Sequence, residues 1–418
     1  MARYAHIVGW GMSLPKRVMT NDDWAKLVDT SDEWIRSRTG IVERRIVGEA
    51  ESTMTMSLDA AQKALEVAKL LPAQLDLIIV ATITPEHVFP ATACLVQDRL
   101  GAVNAGAFDL SAGCSGFIYG LSMAADTIRA GSCQHVLVVG AETLSRIMDW
   151  TDRETCVLFG DGAGAVVVSA SETPGGILSS VLGSDGSGGD HLILPAGGSK
   201  LPASQETVAQ KLHYVRMNGR EVFRFAARTM DKAAREACEK ANVSLDDVKL
   251  FVPHQANMRI IKSAARALKL DDERVYANID RYGNTSAASI PIALCEALEE
   301  GRVQRNDHLV LVGFGAGLTW GASVVQWGVP LPVLPAPWWL RMFRWLYYRW
   351  ARVRSWGARQ RRHAEDWLPF NGRNGYHRNG ASPGLPAVPA QPERPAEPAP
   401  SEPSEPVAQT EQQNLPKI

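Results

Sequence analysis

Short apolar runs alternate with amphipathic segments from the N-terminus to about residue 328, and this order of segments occurs twice. Such runs are typical of buried strands, and the segments between them are typical of helices. The runs lie at 75–83, 105–110, 135–142 and 164–170 in the first half, and at 248–254, 308–315 and 322–327 in the second. Each half also has a Gly-rich turn, FGDGAG at 159–164 and FGAG at 314–317. The pattern predicts an α/β fold with two similar halves, residues 1–172 and 173–328.

The charges of the chain nearly cancel, with 44 basic and 45 acidic side chains, so we expect no nucleic-acid partner. The six cysteines form no CxxC pair and no cluster with histidine, which predicts neither a metal site nor a disulfide framework. The first 15 residues carry charge and Gly within their apolar run, unlike a secretory signal. No apolar stretch reaches the roughly 20 residues that span a bilayer. These features predict a cytoplasmic protein.

The segment AFDLSAGCSGFIYGLSMAADTIRAG places Cys114 between a buried strand and an apolar helix. Gly113 and Gly116 permit a tight turn there. The sulfur is then expected at the N-terminal end of a helix, where partial positive charge and free N–H groups favour the thiolate. Most free cysteines are simply buried, and we apply that interpretation to the other five. Cys114 is the predicted nucleophile.

Two further polar residues occupy similar places in the second half. His254 ends the apolar run of FVPHQANMRIIKSAARAL, so we expect it at the carboxyl end of a strand, where α/β proteins usually have their sites. Asn284 lies in the Gly-containing turn of DRYGNTSAASIPIAL, before an apolar helix. Alone, each would more often be structural, the asparagine as a helix cap. Their combination with Cys114 makes them candidate catalytic residues.

Five motifs follow one another as DLSAGCSGF, FGDGAG, VPHQAN, YGNTSAASIP and GFGAGLTWG. Together they resemble the condensing enzymes of the thiolase superfamily, most closely the beta-ketoacyl-[acyl-carrier-protein] synthase III family, over residues 1 to about 328. The resemblance implies a thiolase-like duplicated five-layered α/β/α/β/α fold. It also implies that Cys114 takes an acyl group from acyl-CoA, and that malonyl-[acyl-carrier-protein] loses carbon dioxide to attack the thioester, which initiates fatty acid synthesis. Both molecules are substrates, and no cofactor or metal is implied.

The same resemblance implies roles for individual residues. His254 and Asn284 donate hydrogen bonds to the malonyl thioester oxygen, where enolate charge develops. The backbone N–H groups of Cys114 and Ala316 form a second hole, for the acyl thioester; many relatives have Gly at the latter position, so Ala fits only if φ there is negative. The other implied contacts are Trp34, Arg38 and Arg153 with CoA, Asn257 with pantetheine, Phe314 beside the malonyl group, Arg259 with the acidic carrier protein, and Phe89 closing the partner subunit's pocket for short primers in a homodimer.

Related chemistries are separated by single residues. A degradative thiolase would carry a second cysteine in the last Gly-rich turn, which is GFGAGLTWG here, whereas Cys295 lies in a predicted helix. Condensing enzymes that extend long chains carry two histidines, whereas the second partner here is Asn284. Two alternatives stay open: a specialised relative that condenses or transfers acyl groups in secondary metabolism, and a membrane-peripheral scaffold without catalysis.

About 90 residues lie beyond the resemblance. Residues 329–337 are a Pro-rich connector, and 364–418 are predicted to be disordered because they are rich in Pro and Glu. Residues 338–362 carry eight Arg and no acidic residue. Residues 338–363 are predicted to form an amphipathic helix, with Trp339, Met342, Leu346, Trp350 and Val353 on one face and Arg341, Arg344, Arg352 and Arg359 opposite. An anionic membrane surface suits residues 338–362; the alternatives are an acidic partner, or packing of the apolar face on the catalytic domain.

Overall fold

The computed structural model describes residues 2–329 and 338–367. The strands are β1 Tyr4–Ser13, β2 Arg17–Thr20, β3 Glu43–Ile46, β4 Leu77–Ala81, β5 Gly106–Leu110, β6 His135–Thr143, β7 Asp161–Ser171, β8 Gly176–Ser184, β9 Leu192–Ile193, β10 Arg216–Met217, β11 Val248–Pro253, β12 His308–Gly315 and β13 Thr319–Gln326. The helices are α1 Asn21–Ala25, α2 Asp32–Thr39, α3 Thr53–Ala68, α4 Thr92–Leu100, α5 Gly116–Arg129, α6 Gln205–Ala209, α7 Gly219–Ala241, α8 Met258–Leu268, α9 Ile279–Tyr282, α10 Ser289–Glu299 and α11 Trp338–Trp367.

Two sheets of matching topology form the frame of the molecule. The first has the strand order β1-β7-β6-β4-β5, and the second has β8-β13-β12-β11. In both, the first two pairs of strands in that order are antiparallel and the next pair is parallel. A parallel bridge between Phe251 and Val275 takes the place that β5 has beside β4. The structure therefore repeats one topology, as the recurring order of segments predicts.

The helices form three layers around the two sheets. Helices α5 and α10 are apolar on nearly all sides, and they share one core with strands of both sheets. Helices α3 and α4 cover the outer face of the first sheet, and α7 and α8 cover that of the second. Strands β4 and β6 are continuous apolar runs because helices bury both of their faces. This is the predicted five-layered α/β/α/β/α fold.

The ends of two strands, one in each sheet, position two of the predicted catalytic residues. Cys114 follows the carboxyl end of β5, and His254 follows that of β11. The N–H of His254 donates to Val312 O at 2.8 Å, which continues the pairing of β11 with β12 by one residue. Asn284 follows α9, and an isolated bridge to Phe159 holds its backbone. Sites of open α/β sheets lie at such strand ends.

The C-terminal helix α11 ends at Trp367, four residues beyond its predicted end at 363. The chain divides into two units, residues 1–364 and 365–418, and both sheets belong to the first. Residues 330–337 of the predicted connector, and the predicted disorder after Trp367, lie outside the described residues. Among the residues that are described, no helix is long and apolar enough to cross a membrane.

Helix α11 packs on residues 2–329, which carry both sheets and are called the catalytic unit below. It does not do so through the face that the self-packing alternative requires. Trp339, Met342, Leu346, Trp350 and Val353 do share one face, and each is at least 50% exposed. On the opposite face Arg344 is buried against the unit. The side chains of Arg341, Arg352 and Arg359 are not among those described. Packing of the apolar face on the catalytic domain is therefore wrong.

Candidate active site

Cys114 lies in a single 3₁₀ turn, residues 113–115, that leads into α5. Gly113 begins this turn with φ +55°, a conformation that favours glycine. The sulfur is thus at the N-terminal end of a helix, as the sequence predicts. Burial nevertheless raises the pKa of the Cys114 thiol to about 12, although a hydrogen bond with Ser286 acts in the opposite direction. Burial thus opposes the effect of the helix N-terminus and favours the thiol form of Cys114.

His254 is buried and neutral. Burial alone lowers the pKa of its imidazole to about 3. Its Nδ1 lies 2.6 Å from Ser289 Oγ, which also accepts the N–H of Gln255 at 3.4 Å. Ser289 Oγ can then donate its own proton to Nδ1, and in that tautomer the ring proton is on Nε2. This Nε2 is buried and has no partner among the described residues.

Asn284 is held so that its amide nitrogen stays available. Its backbone N–H donates to Leu158 O at 2.9 Å, and its carbonyl accepts the N–H of Gly160 at 3.0 Å. Its side-chain Oδ1 accepts the N–H of Ser286 at 2.8 Å. Because the amide oxygen is engaged in this way, the side chain offers its NH₂ group to the cavity that it lines.

One cavity of about 430 Å³ joins these residues, since Cys114, His254, Asn284 and Phe314 all line it. The ring of Phe314 stands edge-on to that of His254, with centroids 5.3 Å apart, and it is buried. The cavity thus places a nucleophilic sulfur with two hydrogen-bond donors beside an apolar ring. That combination can stabilise negative charge that develops on an oxygen.

The two segments of the predicted backbone hole are in close contact. A Cβ added to Gly113 would lie 2.7 Å from the nitrogen of Ala316, and one added to Gly315 would lie 2.3 Å from the nitrogen of Cys114. Only glycine permits this approach. Ala316 is not among the residues with positive φ, so its side chain fits without backbone strain.

Trp34, Arg38 and Arg153 lie together in the wall of the same cavity. The guanidinium carbon of Arg38 is 4.8 Å from the centre of the Trp34 ring, and that of Arg153 is 5.3 Å away. Arg153 also donates to the backbone oxygen of Asp29 at 2.7 Å. A ring between Trp34 and Arg153 needs roughly 7 Å, two van der Waals contacts. A planar ring bound between Trp34 and Arg153 would therefore have to displace Arg153.

The remaining predicted residues take different places. Asn257 caps α8, where it accepts the N–H of Arg259 at 2.9 Å and donates to Arg38 O at 3.1 Å, and it lines the cavity as well. Arg259 is exposed and donates to Ser37 O. Phe89 is 84% exposed and lies outside the cavities that Cys114 lines. The structure thus does not bring Phe89 to the site within one chain.

A second, apolar cavity of about 190 Å³ also reaches Cys114, and its walls were not predicted from the sequence. They are formed by side chains distant in sequence from Cys114, among them Leu144, Ile147, Met148, Leu192 and Val215. Cys114 therefore lies between the larger cavity, whose wall includes charged and polar side chains, and the smaller apolar cavity.

A buried polar network beneath Cys114 was also not predicted from the sequence. Glu142, at the end of β6, accepts hydrogen bonds from Thr84 Oγ1 at 2.5 Å, Thr82 Oγ1 at 3.2 Å and Ser286 Oγ at 3.1 Å. Burial raises the pKa of its carboxyl to about 7. An acidic residue closing the apolar run HVLVVGAE was a visible signal. Ser286 and Ser289 were visible too, because they lie in the motif of Asn284.

The fold and the site define the class of thiolase-like condensing enzymes, in which a cysteine at the start of a buried helix faces a histidine and an amide. The chain matches models of 3-oxoacyl-[acyl-carrier-protein (ACP)] synthase III at residues 108–186 and of its C-terminal part at 238–327. A curated beta-ketoacyl-[acyl-carrier-protein] synthase III from Symbiobacterium thermophilum is 58% identical over 77% of this chain and 98% of its own length. The chain belongs to the beta-ketoacyl-[acyl-carrier-protein] synthase III family.

Solved structures agree with this assignment. The 3-oxoacyl-[acyl-carrier-protein] synthase III of Aquifex aeolicus VF5 is 51% identical, with a TM-score of 0.72 over 77% of this chain and 100% of that chain. A priming beta-ketosynthase of the R1128 polyketide biosynthetic pathway is less similar, 38% identical with a TM-score of 0.73 over 79% of this chain and 98% of that chain. The protein is an acyltransferase-type condensing enzyme that initiates fatty acid synthesis, and the reading as an enzyme of secondary metabolism is not favoured.

Proposed function

We propose that Cys114 carries the acyl group between two half-reactions. In the first, its sulfur bonds to the carbonyl carbon of a short acyl-CoA, the bond from that carbon to the CoA sulfur breaks, and the thiol proton passes to the leaving CoA sulfur. In the second, malonyl-[acyl-carrier-protein] loses carbon dioxide, and its carbanion attacks the thioester. The products are 3-oxoacyl-[acyl-carrier-protein] and free Cys114, which regains a proton.

The observation that carries this proposal is the pair of donors in the cavity of Cys114. His254 Nε2 is buried without a partner, and the Asn284 amide has its oxygen engaged elsewhere. Both are suited to hold the malonyl thioester oxygen, because the enolate charge develops there as carbon dioxide leaves. The low pKa of His254 supports a neutral donor, which does not have to give up a proton at physiological pH.

The two cavities suit the two ends of the first substrate. The apolar pocket beside Ile147 and Met148 is assigned to the acyl chain, and its volume of about 190 Å³ favours a short primer. The larger cavity is assigned to the pantetheine arm of CoA, with Trp34, Arg38 and Arg153 at the nucleotide. Asn257 is assigned to the arm and Phe314 to the malonyl pocket. The backbone N–H groups of Cys114 and Ala316 would bind the acyl thioester oxygen.

The proposed partners follow from the surface. Arg259 is exposed and positively charged, which suits an acidic carrier protein. Strand β5 forms the edge of its sheet, and Val88 and Phe89 are 90% and 84% exposed. Native proteins rarely leave such an edge uncovered, so we assign this surface to a homodimer, in which Phe89 would close the partner subunit's pocket. The proposed location is the cytoplasm, with peripheral contact to a membrane through residues 338–362. The reaction as written uses no cofactor.

The donor role can be tested by Asn284→Asp, which keeps the shape of the side chain but removes its N–H groups. Acylation of Cys114 by acyl-CoA should remain within a few-fold, whereas release of carbon dioxide from malonyl-[acyl-carrier-protein] should fall by about 100-fold or more. Both are measured on the full chain, by peptide mass and by labelled carbon dioxide. Equal losses in the two half-reactions would exclude the assigned role. A preference for malonyl-CoA or small nucleophiles would contradict the proposed carrier-protein substrate.

A further inference from the structure

The outward face of α11 exposes an unusual amount of apolar surface. We call it the outer face, and it consists of nine large side chains that are each at least 50% exposed, namely Trp338, Trp339, Met342, Phe343, Trp345, Leu346, Trp350, Val353 and Trp356. They recur at helical spacing, so they form one stripe about 25 Å long, at 1.5 Å per residue. A contiguous apolar patch of this size on a protein marks an interaction surface.

The opposite face of α11 holds the helix in place on the catalytic unit. Tyr347 donates its hydroxyl proton to Gly101 O at 2.9 Å, and Ser355 donates to Asp98 at 2.5 Å. Ala351 is fully buried against Gly101, where an added Cβ would lie 2.8 Å from the Cβ of Ala351. Arg344 donates to Leu70 O at 3.4 Å. Because this face is engaged, the outer face is turned to solvent by the fold itself.

The charges around the outer face select among possible occupants. Residues 338–362 carry eight Arg and no acidic residue. Arg349 lies over the Trp345 ring at 4.7 Å, and Arg354 lies over the Trp350 ring at 5.6 Å. Tryptophan rings prefer the boundary between lipid tails and headgroups, and nearby arginines bind the phosphates. A second copy of α11 would instead bring like charges together, which disfavours pairing of two outer faces.

We infer that the outer face binds the headgroup region of an anionic lipid surface and holds the catalytic unit against it. This inference rests on the peripheral contact proposed above. It specifies the kind of surface, which is anionic lipid, and the contact, which is the outer face. Helix α11 contacts Leu70, between the end of α3 and the start of β4. It also contacts Gly101, between the end of α4 and the start of β5. Cys114 follows the other end of β5. Contact with lipid therefore leaves the opening of the catalytic cavity clear.

The test uses the full chain and two vesicle compositions, phosphatidylglycerol and phosphatidylcholine. We expect at least about tenfold more protein to pellet with phosphatidylglycerol than with phosphatidylcholine, as for a basic interfacial helix. Salt at 0.5 M should weaken binding to phosphatidylglycerol, because it screens the charges. For the triple variant Trp339→Gln/Leu346→Gln/Trp350→Gln, the amount that pellets with phosphatidylglycerol vesicles should fall about tenfold or more. The control Leu27→Gln/Val208→Gln removes two exposed apolar side chains elsewhere, 54% and 64% exposed, and should bind as the unchanged protein does.

Several results would overturn the inference. These are no pelleting, equal pelleting with both lipids, or equal pelleting of the triple variant. Sedimentation velocity without lipid gives another: if the unchanged protein is twice the mass of the triple variant, a second copy covers the outer face. The condensing activity in solution is measured alongside and should be the same for all three proteins. If the unchanged protein has no condensing activity, that result counts against the proposed function and not against lipid binding.

Discussion

His254 owes its protonation state to burial. The pKa of its imidazole is about 3 in the folded protein, below the ordinary 6.5, so between these values the unfolded chain takes up a proton that the folded one does not. The contribution to stability is complete above pH 6.5 and is lost as the pH falls toward 3. From pH 7 to pH 5 this histidine should lower the unfolding free energy by about 2 kcal/mol. In His254→Asn that part of the decrease should be absent. Urea unfolding at the two pH values measures it, and identical losses in both proteins would contradict it.

Glu142 should show the opposite dependence on pH. Burial raises the pKa of its carboxyl from 4.5 to about 7, so the unfolded chain releases the proton first as the pH rises. The unfolding free energy should fall between pH 4.5 and pH 7 by on the order of 3 kcal/mol from this group alone. In Glu142→Gln that fall should be absent. The unfolding free energies of both proteins are measured at pH 5, 6 and 7. The same change with pH in the two proteins would refute the prediction.

At the residue scale, local motifs carried the prediction of the site only in part. That Cys114, His254 and Asn284 come together could be predicted because each lies in a short segment that precedes a helix, and the first two also follow a strand. The hydrogen bond of Ser286 to Glu142 joins residues 144 positions apart, and no local pattern reports such a contact. The high pKa of Cys114 was missed for the same reason, since burial is a property of the folded core.

At the scale of elements, the last Gly-rich turn is shaped by close approach to the nucleophile. Gly315→Ala would place a Cβ 2.3 Å from the Cys114 nitrogen, so the two segments must separate. We expect the unfolding free energy to fall by about 1–3 kcal/mol and acylation of Cys114 to fall with it. Gly198→Ala is the matched control, because nothing lies within 4 Å of its added Cβ. Similar behaviour of the two variants would show that the turn is not tightly packed.

The elements also show where periodicity reaches its limit. Long buried strands such as β6 and β12 are continuous apolar runs, so their positions were predicted to within a few residues. For α11 the spacing of its tryptophans predicted the helix and its apolar face. Spacing cannot tell which neighbour covers a face, and here the polar face with Tyr347 and Ser355 packs on the unit.

For the whole molecule, the exposed loop with Val88 and Phe89 predicts a second copy. Phe89→Asp puts a charge at the proposed interface and should shift the full chain from dimer to monomer in sedimentation equilibrium. Leu27→Gln, which alters an exposed apolar residue elsewhere, should leave the mass unchanged. If the unchanged protein is already a monomer, the assignment of this surface is wrong.

The proposed reaction depends most on Cys114 as the carrier of the acyl group. The most direct measurement incubates the full chain with a panel of acyl-CoA primers, and then with malonyl-[acyl-carrier-protein], while the mass of the peptide containing residue 114 is followed. We predict an acyl adduct on Cys114 with short primers, followed by its loss together with release of carbon dioxide and a 3-oxoacyl product. No adduct with any primer, or an adduct that malonyl-[acyl-carrier-protein] does not discharge, would contradict this role of Cys114.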